Sequence, residues 1–178
     1  MTLDRLDPED APARAAVFVA ACAERLINIV SWSAALDGRP DDVAVYIEAL
    51  ELLWRYDVAD AQACRATMAQ LEEMHEMTVA DELTGPSAYG LESVLVLHCG
   101  LRVVLEPTLA NVEDCSMAAR NAAFHLEGLI PSRHFLSAEE RSQDEDIEAL
   151  LRGASADELR DRAREVGRSL LDLVRSQF

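Results

Sequence analysis

"LESVLVLHCGLRVVL", residues 91–105, decides the fold. A run so rich in Val and Leu has two physical readings, a buried strand or a core helix. It is longer than the usual strand of about 5–6 residues, and its apolar side chains do not alternate with polar ones. Helix is therefore the better reading, and because almost every side is apolar, a central helix. "AAVFVAACAERLINIVSW", residues 15–32, has the same character and the same reading.

Working outward, the punctuation sets the boundaries. Asp7 can cap a first helix, with Pro8, Glu9 and Asp10 in its first turn, and Asp37-Gly38 stops it after about Leu36. A second helix spans about Asp41 to Tyr56, with Val45, Leu52, Leu53 and Tyr56 as its buried stripe. A third runs from about Ala59 to Val79, turning Cys64, Met68, Leu71 and Met74 inward, with His75 or Thr78 extending that stripe. "TGPS" at 84–87 breaks the chain. The fourth helix covers about Ser87 to Leu105, and Glu106-Pro107-Thr108 turns the corner into a fifth that ends near Leu129 before Pro131. Capping-box patterns at Ser137-x-x-Glu140 and Ser155-x-x-Glu158 open a short helix to about Leu151 and a last one to about Arg175. In the last helix Leu159, Ala163, Val166, Leu170 and Val174 recur at helical spacing. The expectation is an all-α fold: one domain over 1–178, an antiparallel helical bundle of about seven helices. Its core lies in 9–130, with peripheral C-terminal helices in 137–178.

Composition agrees with this. Half of the 178 residues are hydrophobic but only 5% are aromatic, so Ala, Leu and Val carry the core. Seven glycines and six prolines leave few turns and long elements. The 33 acidic residues against 16 basic ones give a net charge of −17, and every basic residue is Arg. Without Lys there is no Schiff-base chemistry and no P-loop lysine. The charge opposes binding to nucleic acid or an anionic membrane, and suits a basic protein. The polar, acidic opening "MTLDRLDPEDAPAR" is unlike a secretory leader, and the apolar run at 94–105, interrupted by His98 and Arg102, is too short to span a bilayer. The expected location is the cytoplasm, and the four cysteines, with no CxxC pair, read as buried thiols.

Three constellations could carry chemistry. Glu72-x-x-His75 has the spacing of a di-metal half-site, but a ferritin-like centre needs a second such pair and two further glutamates. His98, His125 and His134 are preceded at that spacing by Leu95, Ala122 and Pro131. The segment reads instead as an acidic interaction face of Glu72, Glu73, Glu76, Asp81 and Glu82. His98 and Arg102 lie one turn apart on a buried helix, and a buried Arg needs a carboxylate. Glu24 in "CAERL" is the natural partner, so Glu24, His98 and Arg102 form the candidate polar core cluster: a register-fixing ion pair or a ligand pocket. His98 and Cys99 are neighbours on a helix and point about 100° apart, so they make no nucleophile–base pair. No catalytic, metal-binding or cofactor-binding residue is assigned, and no cofactor is expected. Trp32 and Trp54 read as core or interface anchors, and the latter use allows a homodimer.

"FVAACAERLINIVSWSA" (18–34), "ALELLWRYD" (49–57) and "SAYGLESVLVLHCGLR" (87–102) resemble the YjaG-like family of uncharacterised bacterial proteins. The resemblance covers about 15–130. It implies an all-helical domain and brings no catalytic residue.

The functional expectation is a non-enzymatic protein-interaction module, in one version an immunity-type acidic neutraliser of a basic toxin. The alternatives are a ligand-binding or enzymatic bundle with its pocket at Glu24, His98 and Arg102, and a ferritin-like metal binder.

Overall fold

Helix is the only regular structure among the described residues of the computed structural model, which are 3–78, 86–131 and 133–176 (side chains of 86 and 87 excepted). A 3-10 turn at Leu3–Leu6 precedes eight α-helices. They are α1 (Pro12–Leu36), α2 (Pro40–Trp54), α3 (Ala61–Glu72), α4 (His75–Thr78), α5 (Pro86–Leu105), α6 (Leu109–Leu129), α7 (Phe135–Leu151) and α8 (Ala156–Arg175). Residues 91–105 lie wholly within α5.

α1 is the axis: α2, α5, α6, α7 and α8 all pack against it. Its residues from Ala15 to Ile27 are buried without a break, as expected of a segment with no polar face. α5 and α6 form an antiparallel hairpin. Asn121 Nδ2 donates to Glu92 Oε1 (3.4 Å), Cys115 Sγ to the Val96 carbonyl (3.5 Å) and Arg102 Nη2 to Asn111 Oδ1 (2.6 Å), so one helix descends as the other climbs. α8 runs the same way as α1, since Arg164 meets Glu24 and Arg175 meets Trp32. α1 and part of α5 have the length and hydropathy of membrane spans. However, 83% of the α1 window and 61% of the α5 window are buried inside the protein itself, where other helices take the place of lipid.

Where the boundaries differ from the sequence reading, a tertiary contact is the cause. α1 begins at Pro12 rather than near Asp7. Asp7 adopts φ 46°, a left-handed corner, and Leu3 and Leu6 fold back into the core. The α2 stripe is Tyr46, Ala49, Leu50, Leu53 and Trp54. Val45 and Leu52 are only half-buried, because rotating the helix brings the Tyr46 hydroxyl to Glu76 and the Trp54 indole to Glu24. The expected third helix is two: a break at Glu73–Met74 separates α3 from α4, and His75 and Thr78 are exposed. α7 starts at Phe135, with His134 as its N-cap, so Ser137 sits inside the helix and its capping box does not form. Phe135 is buried, and burying its ring outweighs one capping hydrogen bond. The Ser155–Glu158 box does form at the start of α8. The buried stripe of α8 is Leu159, Ala163, Gly167 and Val174; Val166 is 37% exposed and Leu170 half-buried.

Candidate functional site

Among the buried polar side chains two sets stand out, one structural and one beside an open cleft. The structural group centres on Arg25, which is 1% exposed. Its guanidinium donates to both carboxylate oxygens of Glu139 (2.8 and 2.7 Å) and to Asp146 Oδ2 (2.6 Å). Gln143 Nε2 donates to Glu139 Oε1 (2.8 Å), Ser116 Oγ donates to Gln143 Oε1 (2.8 Å), and Arg162 closes on the other oxygen of Asp146. Burial alone would push Arg25 towards its neutral form; Glu139 and Asp146 outweigh it and hold the guanidinium charged. Glu139, Gln143 and Asp146 are spaced one helical turn apart on α7, forming one polar stripe.

The adjacent Glu24 does not meet His98 or Arg102. Its carboxylate accepts from Trp54 Nε1 (2.6 Å) and Arg164 Nε (3.1 Å), with Arg160 Nε at 3.6 Å. Arg160 also pairs with Glu51 and lies over the Trp54 ring. His98 Nε2 faces Glu72 Oε1 at 2.9 Å, near the surface. Arg102 is 43% exposed at its side chain, bonded to Asn111 and 3.6 Å from Asp114. The expected cluster is thus three separate contacts. Neighbours along α1 point in different directions, so Glu24 faces α2 and α8 while Arg25 faces α7. Trp54 is 8% exposed and bonded to Glu24, so it offers no interface anchor.

The acidic segment also divides. Glu72 and Glu73 are exposed. Glu76, expected on the same face, is 4% exposed and turned inward. The break before α4 re-aims it, so that its carboxylate accepts from Arg39 Nη1 (3.1 Å) and Nη2 (2.6 Å) and from the Tyr46 hydroxyl (3.2 Å). Asp81 and Glu82 lie outside the described residues. Among the described residues no group of three or more His, Cys, Asp or Glu is placed to hold a metal ion.

Glu76 and Arg39 stand on the wall of a cleft of about 420 Å³ at one end of the bundle. α1 contributes Ile29, Val30, Trp32, Ser33 and Leu36 to it. α6 adds Leu126 and Leu129, α8 adds Val174, and α5 adds Tyr89 and the bare backbone of Gly90. Asp37 and His75 join Arg39 and Glu76 as the polar part. A Cβ on Gly90 would stand 3.1 Å from Glu76 Cγ, so this glycine lets α4 approach. A second cavity of about 50 Å³, room for a water, lies beside Arg25 and Glu139 and shares Tyr89 and Leu126 with the cleft.

Burial pushes the Glu76 carboxyl up, but the Arg39 hydrogen bonds, with help from backbone and Tyr46, pull it down further, and the net shift is downward. A carboxylate lowered in the folded state stabilises the fold above its unfolded value of about 4.3 and loses that contribution as pH falls through the folded value. Glu76→Gln is therefore expected to cost about 1–2 kcal/mol near neutral pH and progressively less as pH drops below about 4.3. Urea melts of both proteins across pH give the difference directly; a constant difference would contradict the linkage.

All four cysteines are free and buried. Burial pushes each thiol up; Arg25 beside Cys22 opposes this only in part. They are protonated packing groups rather than nucleophiles.

Sequence reasoning missed Arg25, although the signal was present. An Arg within a helix apolar on all sides must be buried, and the Glu139–Gln143–Asp146 spacing marks a matching stripe. The cleft left no such signal, because its lining comes from five stretches far apart in the chain.

Comparison with family models, curated proteins and solved structures gives no match to this chain.

Proposed function

We propose that this protein is a non-catalytic binding domain whose site is the end cleft, taking a small molecule with an apolar body. The cleft itself carries this reading. Its volume of about 420 Å³ falls within the range of small-molecule sites, roughly 300–1,000 Å³, and mostly apolar walls with a few convergent polar groups are what such sites have. The alternative of a pocket among Glu24, His98 and Arg102 thereby moves to Trp32, Arg39, Glu76 and Tyr89. The pairing of the wall's polar groups supports binding over catalysis. Arg39 and Glu76 satisfy each other, and no cysteine is poised as a thiolate.

The uncharged dye Nile red is expected to bind saturably with one site per chain. Ser33→Trp, which fills the cleft from α1, should weaken it at least about tenfold through lost apolar contact. Thermal melting would show that the variant is folded. Unsaturable binding, or equal affinity in the filled variant, would refute the reading.

A protein-interaction module, including an acidic neutraliser of a basic toxin, is the second reading, supported by the net charge of −17 and the exposed Glu72 and Glu73. Association with a basic partner should then slow steeply as salt rises. Capture of basic proteins that is indifferent to salt would oppose it.

A further inference from the structure

We infer that the end cleft selects organic cations, an amine or quaternary ammonium head carried on a hydrocarbon body. This rests on the cleft being a ligand site and names the ligand's chemistry. The charged groups of the wall decide it. Arg39 is already committed: its guanidinium donates to Glu76 twice and to Asp42 (2.5 Å), and Asp37 Oδ2 lies 3.5 Å away. Three carboxylates surround this guanidinium, so even with Arg175 beside Trp32 counted, this end carries surplus negative charge. An incoming carboxylate, sulfate or phosphate would find Arg39 already taken and would have to displace Glu76 or Asp42 to reach it.

A cation meets the opposite situation. Asp37 is 61% exposed at its side chain and only loosely held, so it can turn to an ammonium head without leaving a buried charge unpaired. Trp32, on the same wall, already attracts a positive group, with Arg175 Cζ 5.7 Å from its ring centroid. Aromatic faces are the usual partner of quaternary ammonium heads. His75, on α4, and Tyr89, on α5, are the other titratable groups of the wall. Helix ends do not settle the sign, since α1, α6 and α8 bring C-termini to this end and α2 and α5 bring N-termini. The side chains do. Ile29, Val30, Leu126, Leu129 and Val174 then receive the hydrocarbon body.

Calorimetric titration with octyltrimethylammonium, octanol and octyl sulfate separates charge from apolar burial. The expected order is cation, alcohol, sulfate, with at least about tenfold between the cation and the sulfate. Asp37→Asn should narrow that ratio to under about threefold. Asp157→Asn removes the same charge about 25 Å away along α8, beyond the screening length at physiological salt, and should leave the ratio unchanged. Sulfate binding as tight as the cation would overturn the inference, as would equal narrowing by the two variants, which would mean only the protein's overall field is felt. If octanol binds and charge makes no difference, the cleft remains a ligand site and only the cation preference falls. If none of the three binds, the ligand-site reading falls with it.

Discussion

Replacing Arg25 with methionine should lower the unfolding free energy by about 3–5 kcal/mol, the usual cost of removing one partner from a buried ion pair. The reason is what remains. Glu139 and Asp146 are 7% and 2% exposed. Without the guanidinium, Glu139 keeps only the amide of Gln143, and Asp146 keeps only Arg162. Most of the loss is thus the penalty of stranding carboxylates rather than the worth of the pair itself. That distinction is measurable. Arg25→Met combined with Glu139→Gln removes one stranded charge and should be more stable than Arg25→Met alone, even though it carries an additional substitution. Urea unfolding followed by helix circular dichroism gives both numbers. A loss below about 1 kcal/mol for the single variant, in the range of an exposed pair, would mean that Arg25 is solvated.

The second large effect has the opposite sign from what helix propensity suggests. Glycine to alanine within a helix normally stabilises by about 1 kcal/mol. At Gly167, however, a Cβ would stand 2.9 Å from the Arg25 carbonyl oxygen, 3.0 Å from the Glu24 carbonyl oxygen and 2.9 Å from Asn28 Nδ2. Two of these are backbone atoms of α1 and cannot rotate away, so α8 must move. Gly167→Ala is expected to destabilise by about 1–3 kcal/mol, the usual cost of overpacking. Shifting α8 also strains the Arg164–Glu24 contact and withdraws Val174 from the cleft, so Nile red binding should weaken in the same variant. Gly128→Ala is the control. Nothing lies within 4 Å of its added Cβ, and it should be neutral or stabilising. Gly167→Ala as stable as the unmodified protein would mean that α8 does not sit this close to α1.

α5 was legible because length and lack of alternation are properties of the segment itself. The Ser155–Glu158 capping box was legible for the same reason, since its hydrogen bonds join residues three positions apart within one segment. Glu76 was misplaced for the complementary reason. Within "LEEMHEM" it looks like its neighbours Glu72 and Glu73. Only Arg39 and Tyr46, far away in the chain, distinguish it, and they do so by breaking the helix that carries it. Gly167 hid similarly: the apolar spacing of α8 is satisfied by Val166 or by its neighbour, and the close approach to α1 chose the residue without a side chain.

The sequence by itself determined the all-helical class, the burial of α1 and most of α5, and the excess negative charge, because periodicity and composition act locally or sum over the whole chain. Only the tertiary structure decided which polar groups meet and where a cleft opens. The contacts that set the Arg25 network, the Glu24 pairing and the cleft wall join residues tens of positions apart, and one residue's rotation about a helix axis, about 100°, is enough to exchange one partner for another.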